Sequence, residues 1–132
     1  MTPNSRPDEA QALLAAAARD RLALDILARD AQAPAEIALF LAQQALEEAI
    51  KAVLALHGVV YRRTYDLLLL EALASDTGVV LPVAHNLLAR LGPYAVEFRY
   101  QAPAAPAVSL AEAQAAVRAV LDWARAAAGP GS

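Results

Sequence analysis

Apolar residues recur along most of the chain at spacings of three and four rather than two, so the pattern predicts helices and no strands. Between Asp8 and Arg29, residues Leu13, Leu14, Ala17, Leu22, Leu24, Ile26 and Leu27 form the apolar set of a first helix, with Arg19, Asp20, Arg21 and Asp25 between them. Ala33-Pro34 interrupts the chain, and Pro34 suits a first helical position because the N–H it lacks would be unpaired there anyway. A second helix is expected over Pro34–His57, where Ile37, Phe40, Leu41, Gln44, Ala45, Ala49, Val53 and Leu56 keep the helical period and Gly58 ends it. At 1.5 Å per residue it is on the order of 35 Å long, enough to be the spine of a bundle.

Gly58 to Arg63 reads as a connector, after which Thr64 caps a third helix over Tyr65–Ala74 with Asp66 in its positive first turn. Ser75 to Gly78 form a loop, and a fourth helix runs from Val83 to Leu91, where Gly92-Pro93 kinks or stops it. The Ala- and Pro-rich stretch Gln101–Val108 is not expected to be helical. Ser109 and Glu112 have the spacing of a capping box and open a last helix to about Ala127. The expected fold is all-α, an up-and-down bundle of four to five antiparallel helices. The expected organisation is a flexible N-terminus over 1–9, one helical domain over 10–128, and a flexible tail or cloning remnant over 129–132.

Composition strengthens the helical reading. Ala and Leu dominate, Val, Ile and Thr are sparse, and aromatics are 5% of the chain, so a sheet would lack its preferred residues. The 132 residues suit a single core, and 58% apolar content against 19% charged gives it ample surface to bury. The absence of cysteine excludes disulfides and thiolate metal sites and suggests an intracellular, cytoplasmic protein. Met1–Ala10 is polar and lacks the apolar run of a signal peptide, and Glu47, Glu48 and Lys51 break up the longest helix, so no membrane span is expected. A net charge of −3 argues against a broad basic surface for duplex nucleic acid.

Candidate chemistry is thin. His57 sits at a helix C-terminus, where the dipole favours it, and His85 is expected to be partly buried beside Val83, Leu87 and Leu88. Neither has a second ligand at metal spacing, and no cofactor is implied. Gln43, Gln44, Glu47, Glu48 and Lys51 place a polar stripe on the second helix that is either a solvated face or a surface for a partner subunit. Arg62-Arg63-Thr64-Tyr65-Asp66-Leu67 sets two guanidinium groups before a helix N-terminus, a place where a phosphate could bind; alternatively Thr64 and Asp66 merely cap the helix and the arginines are solvated. Tyr94, Phe98, Arg99 and Tyr100 cluster as core and interface anchors or as a stacking surface for a nucleotide.

In their order and spacing, Phe40-Leu41-Ala42-Gln43-Gln44-Ala45-Leu46-Glu47 with Lys51, then Arg63-Thr64-Tyr65-Asp66-Leu67, then Tyr94-Ala95-Val96-Glu97 with Arg99-Tyr100, resemble the HEPN domain family over roughly Ala12 to Trp123. The resemblance implies a four-to-five-helix bundle, commonly a homodimer, often encoded beside a minimal nucleotidyltransferase and linked to nucleotide binding or toxin–antitoxin systems. Two positions depart from the pattern: many members have His where Tyr65 stands, and Lys where Glu48 stands. A tyrosine titrates near pH 10 and cannot replace imidazole as a base at neutral pH, though it still donates a hydrogen bond. The ribonuclease members share an Arg followed after four to six residues by His, and no arginine stands at that distance before His57 or His85.

These features lead to the expectation of a non-catalytic subunit that dimerises and partners a minimal nucleotidyltransferase, with a nucleotide as a further ligand. Gln44, Glu47, Lys51, Arg62, Arg63, Tyr65, Tyr94, Arg99 and Tyr100 are the candidate nucleotide- or partner-binding residues, with no catalytic and no metal-binding residue among them. The alternatives are a ribonuclease toxin using unconventional residues such as Arg63, Tyr65 and Tyr94, and a stand-alone nucleotide-binding module.

Overall fold

Apolar side chains run most of the way round the second helix, and thirteen of its residues are buried, so it is stable only with neighbours around much of its circumference. In the computed structural model, which describes residues 3–95 and 107–129, that helix is the central element. The order is α1 (Pro7–Ala28), α2 (Ala35–Leu56), α3 (Leu67–Asp76), α4 (His85–Leu91), a 3₁₀ turn (Gly92–Ala95) and α5 (Leu110–Ala128), with no strand among the described residues. α1 and α2 form an antiparallel hairpin, α5 packs on both, and α3, α4 and the 3₁₀ turn rest against α2. The all-α bundle expected from periodicity is the fold observed. No helix among the described residues is long and apolar enough to cross a membrane.

Alanine makes the close packing of α2 feasible. Ala38, Ala42, Ala45, Ala49 and Ala52 are all buried, and their short side chains let neighbouring backbones approach while Leu39, Leu46, Ile50 and Leu54 fill the remaining volume. On α1 the buried set is Ala10, Leu14, Ala17 and Leu24. Leu22 and Ile26, expected in the core, are 61% and 50% exposed. They lie on the far side of α1 from the Leu14–Leu24 row, so helical spacing alone could not distinguish the two faces. Ile37 is likewise exposed at the start of α2.

Several helix ends differ from expectation for local reasons. Pro34 is the N-cap of α2, with ψ of 128°, rather than its first helical residue. α3 begins at Leu67 and not Tyr65, because Asp66 is the N-cap: its carboxylate accepts from Leu68 N and Leu69 N at 3.0 and 3.2 Å. Thr64 acts one step earlier, its Oγ1 accepting from Asp66 N at 3.0 Å. α4 begins at His85, two residues after Val83, with Ala84 as its N-cap. The capping box at the start of α5 forms as expected: Glu112 N donates to Ser109 Oγ at 3.1 Å and Ser109 N donates to Glu112 Oε1 at 3.2 Å.

The end of α2 fixes where the connector begins. Gly58 has φ of 71°, which turns the chain so that Val59 N donates back to Leu54 O and Gly58 N to Ala55 O. Arg6 covers the same helix end, its backbone N–H on Ala55 O and its guanidinium on Val59 O at 2.6 Å. A cation there also meets the negative end of the helix dipole.

Candidate interaction site

The polar residues of α2 are not a solvated stripe. Gln43 is fully buried and Glu47 is 5% exposed, and both, with Lys51, lie at successive i, i+4 positions facing the connector between α2 and α3. Gln43 Nε2 donates to Tyr65 O at 2.9 Å, and Lys51 Nζ donates to Thr64 O at 3.0 Å. Glu47 Oε2 lies 3.7 Å from Lys51 Nζ. Burial raises the Glu47 carboxyl above its ordinary value, and Lys51 offsets part of that rise. A backbone segment with no regular structure of its own thus has two consecutive carbonyls bound by side chains of the central helix.

The connector also contributes an aromatic ring of its own, Tyr61, to cations from α2 and from the segment before α1. The ammonium of Lys51 and the guanidinium of Arg6 both lie over Tyr61, at 5.6 and 5.8 Å from its centroid. The Tyr61 hydroxyl donates to Glu9 Oε2 at 2.8 Å; burial, together with this hydrogen bond, pushes it up to about 12.

What this scaffold presents outward is Arg62, Arg63 and Tyr65, all exposed. Neither arginine makes an ion pair or hydrogen bond with the described residues. Tyr65, 50% exposed, borders a cavity of about 520 Å³ between the start of α3 and the end of α4, with Thr64, Asp66, Leu68, Leu88 and Pro93 among its walls. The free N–H groups expected to attract a phosphate at this helix start are already engaged by the Asp66 carboxylate, so a further anion there would meet a like charge. Among the described residues lining the cavity, the side chains with an acidic or phenolic group are Asp66 and Tyr65, and Asp66 is committed as a cap.

Other expected residues fall elsewhere. Tyr94 is 1% exposed in the 3₁₀ turn, with its hydroxyl accepting from Ala107 N at 3.3 Å, so its ring is a core element and not an open stacking surface. Arg99 and Tyr100 lie outside the described residues. His85 is exposed rather than partly buried, its Nδ1 at 2.5 Å from Glu71 Oε1 on the rim of a second groove of about 410 Å³. The lone histidine of a short helix gave no hint of a partner on α3, fourteen residues earlier.

Glu48 lies on a different edge of α2, the one that meets α1. There Glu48 shares a hydrogen bond with Asp20, and burial followed by that shared bond pushes Glu48 up to about 9. Asp20 carried no signal in the sequence beyond being one of several charges on the first helix. Among the described residues no three His, Cys, Asp or Glu side chains are grouped to hold a metal ion.

Comparison with known proteins gives one assignment. Neither the curated proteins nor the solved structures contain a match to the chain. A family model, that of the HEPN domain, matches residues 10–126, which takes in most of α1, the Gln43–Lys51 row, the connector and nearly all of α5. With the helical architecture and the polar row in place across that span, the chain belongs to the HEPN domain family.

Proposed function

We propose that this HEPN-domain chain is a non-catalytic binding subunit, which dimerises and partners a minimal nucleotidyltransferase in a toxin–antitoxin-like system and takes a nucleotide at the cavity beside Tyr65. The observation that carries this reading is the anchoring of Thr64 O and Tyr65 O by Lys51 and Gln43. It spends the polar row of α2 on positioning, and it projects Arg62, Arg63 and Tyr65 as a fixed surface. The cavity is within the usual range for small-molecule sites, roughly 300–1,000 Å³. The half-exposed Tyr65 ring at its edge suits stacking of a base. Tyrosine at this position and the lack of an uncommitted base on the described cavity walls weigh against acid–base cleavage of RNA.

Co-expression with the product of the adjacent gene, followed by size measurement, tests the partner: a stable complex supports the reading, and no complex with no neighbouring nucleotidyltransferase removes it. The nucleotide is tested by melting. Millimolar nucleotide raises the Tm of the wild-type chain by mass action, and Tyr65→Ala abolishes the rise. An unchanged wild-type Tm rules the nucleotide out.

A further inference from the structure

The outward face of α1 is apolar where a solvated face would be polar. Ala12, Ala15, Arg19, Leu22, Ile26 and Arg29 follow one another at steps of three and four, and all six are exposed. At 3.6 residues per turn those steps keep them within about 100° of the circumference of the helix. Arg29 belongs to the row because, as the C-cap, it still has helical dihedrals. Leu22 is 61% and Ile26 50% exposed, while the buried row Leu14, Ala17 and Leu24 occupies the opposite side. Single exposed apolar residues are ordinary, but two large ones stacked one turn apart, with alanines leading up to them, form a continuous strip of the kind that interaction surfaces use.

A cation stands at each end of the large apolar pair: Arg19 one turn before Leu22 and Arg29 one turn after Ile26. Neither guanidinium makes an ion pair or hydrogen bond with the described residues, and Arg19 acts on Glu48 through its charge alone. The acids of this stretch are engaged elsewhere: Asp20 with Glu48, Asp25 with Gln114 and Arg21, and Asp30 with the backbone N–H of Gln32. The strip is therefore apolar in the middle and positive at both ends.

We propose that this strip docks an acidic amphipathic helix of a partner protein, with two carboxylates of the partner on Arg19 and Arg29 and two apolar side chains one turn apart against Leu22 and Ile26. The span from Arg19 to Arg29 is about 15 Å at helical rise, so the partner's carboxylates stand about ten residues apart on one face. Helix docking of this kind is read through anchors at steps of three and four. The short side chains of Ala12 and Ala15 let a second backbone lie close. A second copy of this chain is a poor occupant: laid along the strip in either direction, it sets arginine against arginine, and facing like charges select against that pairing. A net charge of −3 likewise disfavours an anionic lipid surface. No residue of α1 lines the cavity beside Tyr65, so this surface is independent of the nucleotide reading above.

The test is an NMR titration of the isotope-labelled full chain with an alanine-based helical peptide that carries Glu, Leu, Leu and Glu at the spacing of Arg19, Leu22, Ile26 and Arg29. The acidic peptide shifts the amide signals of residues 12–29 in a saturable way, and the same peptide with Lys in place of Glu does not. Arg19→Glu with Arg29→Glu weakens the acidic peptide about tenfold or more and gains binding of the lysine peptide, an exchange that an unfolded chain cannot give. Leu22→Gln with Ile26→Gln abolishes binding and leaves the Tm unchanged, since both side chains are exposed. Signals that the acidic peptide does not move, or that both peptides move equally, overturn the proposal. Binding to phosphatidylserine vesicles in place of the peptide overturns it in favour of a lipid surface. Self-association that the two glutamine substitutions remove overturns it in favour of a second copy.

Discussion

Lys51 Nζ binds the backbone carbonyl of Thr64 at 3.0 Å and joins the central helix of this HEPN domain to the segment that presents its arginines. The ammonium is 13% exposed and lies beside the buried Glu47 carboxylate, so one side chain satisfies a backbone carbonyl and pairs a buried charge together.

Lys51→Met removes both interactions and leaves Glu47 buried without its cation. Unfolding in urea should show a loss of about 3 kcal/mol, the scale for breaking a buried charge pair. Gln43→Leu, which frees only Tyr65 O, should cost about 1–2 kcal/mol. In both variants trypsin should nick the loosened connector after Arg62 or Arg63 faster than in the wild type. Equal nicking rates would mean that the connector is held by something other than these two side chains.

Asp66 and Thr64 compete on paper for the capping of α3, and the geometry gives the role to Asp66. Asp66→Ala should lower stability by about 1 kcal/mol, Asp66→Asn by much less, since the amide oxygen still accepts from the first turn. Thr64→Ala should have a smaller effect than Asp66→Ala. The reverse order in denaturation experiments would place the cap at Thr64.

Glu48 gives the fold a pH dependence with a definite sign. Its folded-state value, about 9, lies above the ordinary 4.5, so the folded chain binds more protons than the unfolded chain between the two. The contribution is fully present below the unfolded value and is lost as pH rises through the folded one. Glu47, also raised, acts in the same direction. Unfolding free energy of the monomer should therefore fall from about pH 5 to about pH 9, and Glu48→Gln should be more stable than wild type at the upper end, by on the order of 1 kcal/mol. Stability that rises over this interval would contradict the burial of these carboxyls.

Gly58 is fixed by both its backbone and its surroundings. Its φ is 71°, and a Cβ there would stand 2.4 Å from Pro3 O. Gly58→Ala should destabilise by about 2 kcal/mol, more than left-handed strain alone, and should shift the segment that carries Arg6. Loss of the Arg6 contact to Val59 O would be visible as faster amide exchange at the end of α2.

Much of the fold was legible because helices leave a local record. The Ser109–Glu112 spacing located the start of α5, and the length and high apolar content of α2 marked it as the spine of the bundle. The resemblance to the HEPN family was legible too, since the strings that carry it, Gln43 to Lys51 and Arg63 to Leu67, are contiguous, and the family match spans both. Which way their side chains face was not: Gln43, Glu47 and Lys51 look like a solvated stripe until the connector is seen folded onto them. Leu22 and Ile26 illustrate the converse, apolar residues at helical spacing on a face that nothing described covers.

The amino-acid sequence by itself determined the helices, their ends at Gly58 and Ser109 and the all-α class, because each depends on residues within a turn or two of one another. Only the tertiary structure decided that Gln43 and Lys51 hold the carbonyls of Tyr65 and Thr64, that Glu48 meets Asp20, and that Tyr94 is sealed in the core. The physical reason is that hydrogen-bond satisfaction and desolvation depend on what packs nearby. The partners here come from different helices and connectors, and no local spacing records them.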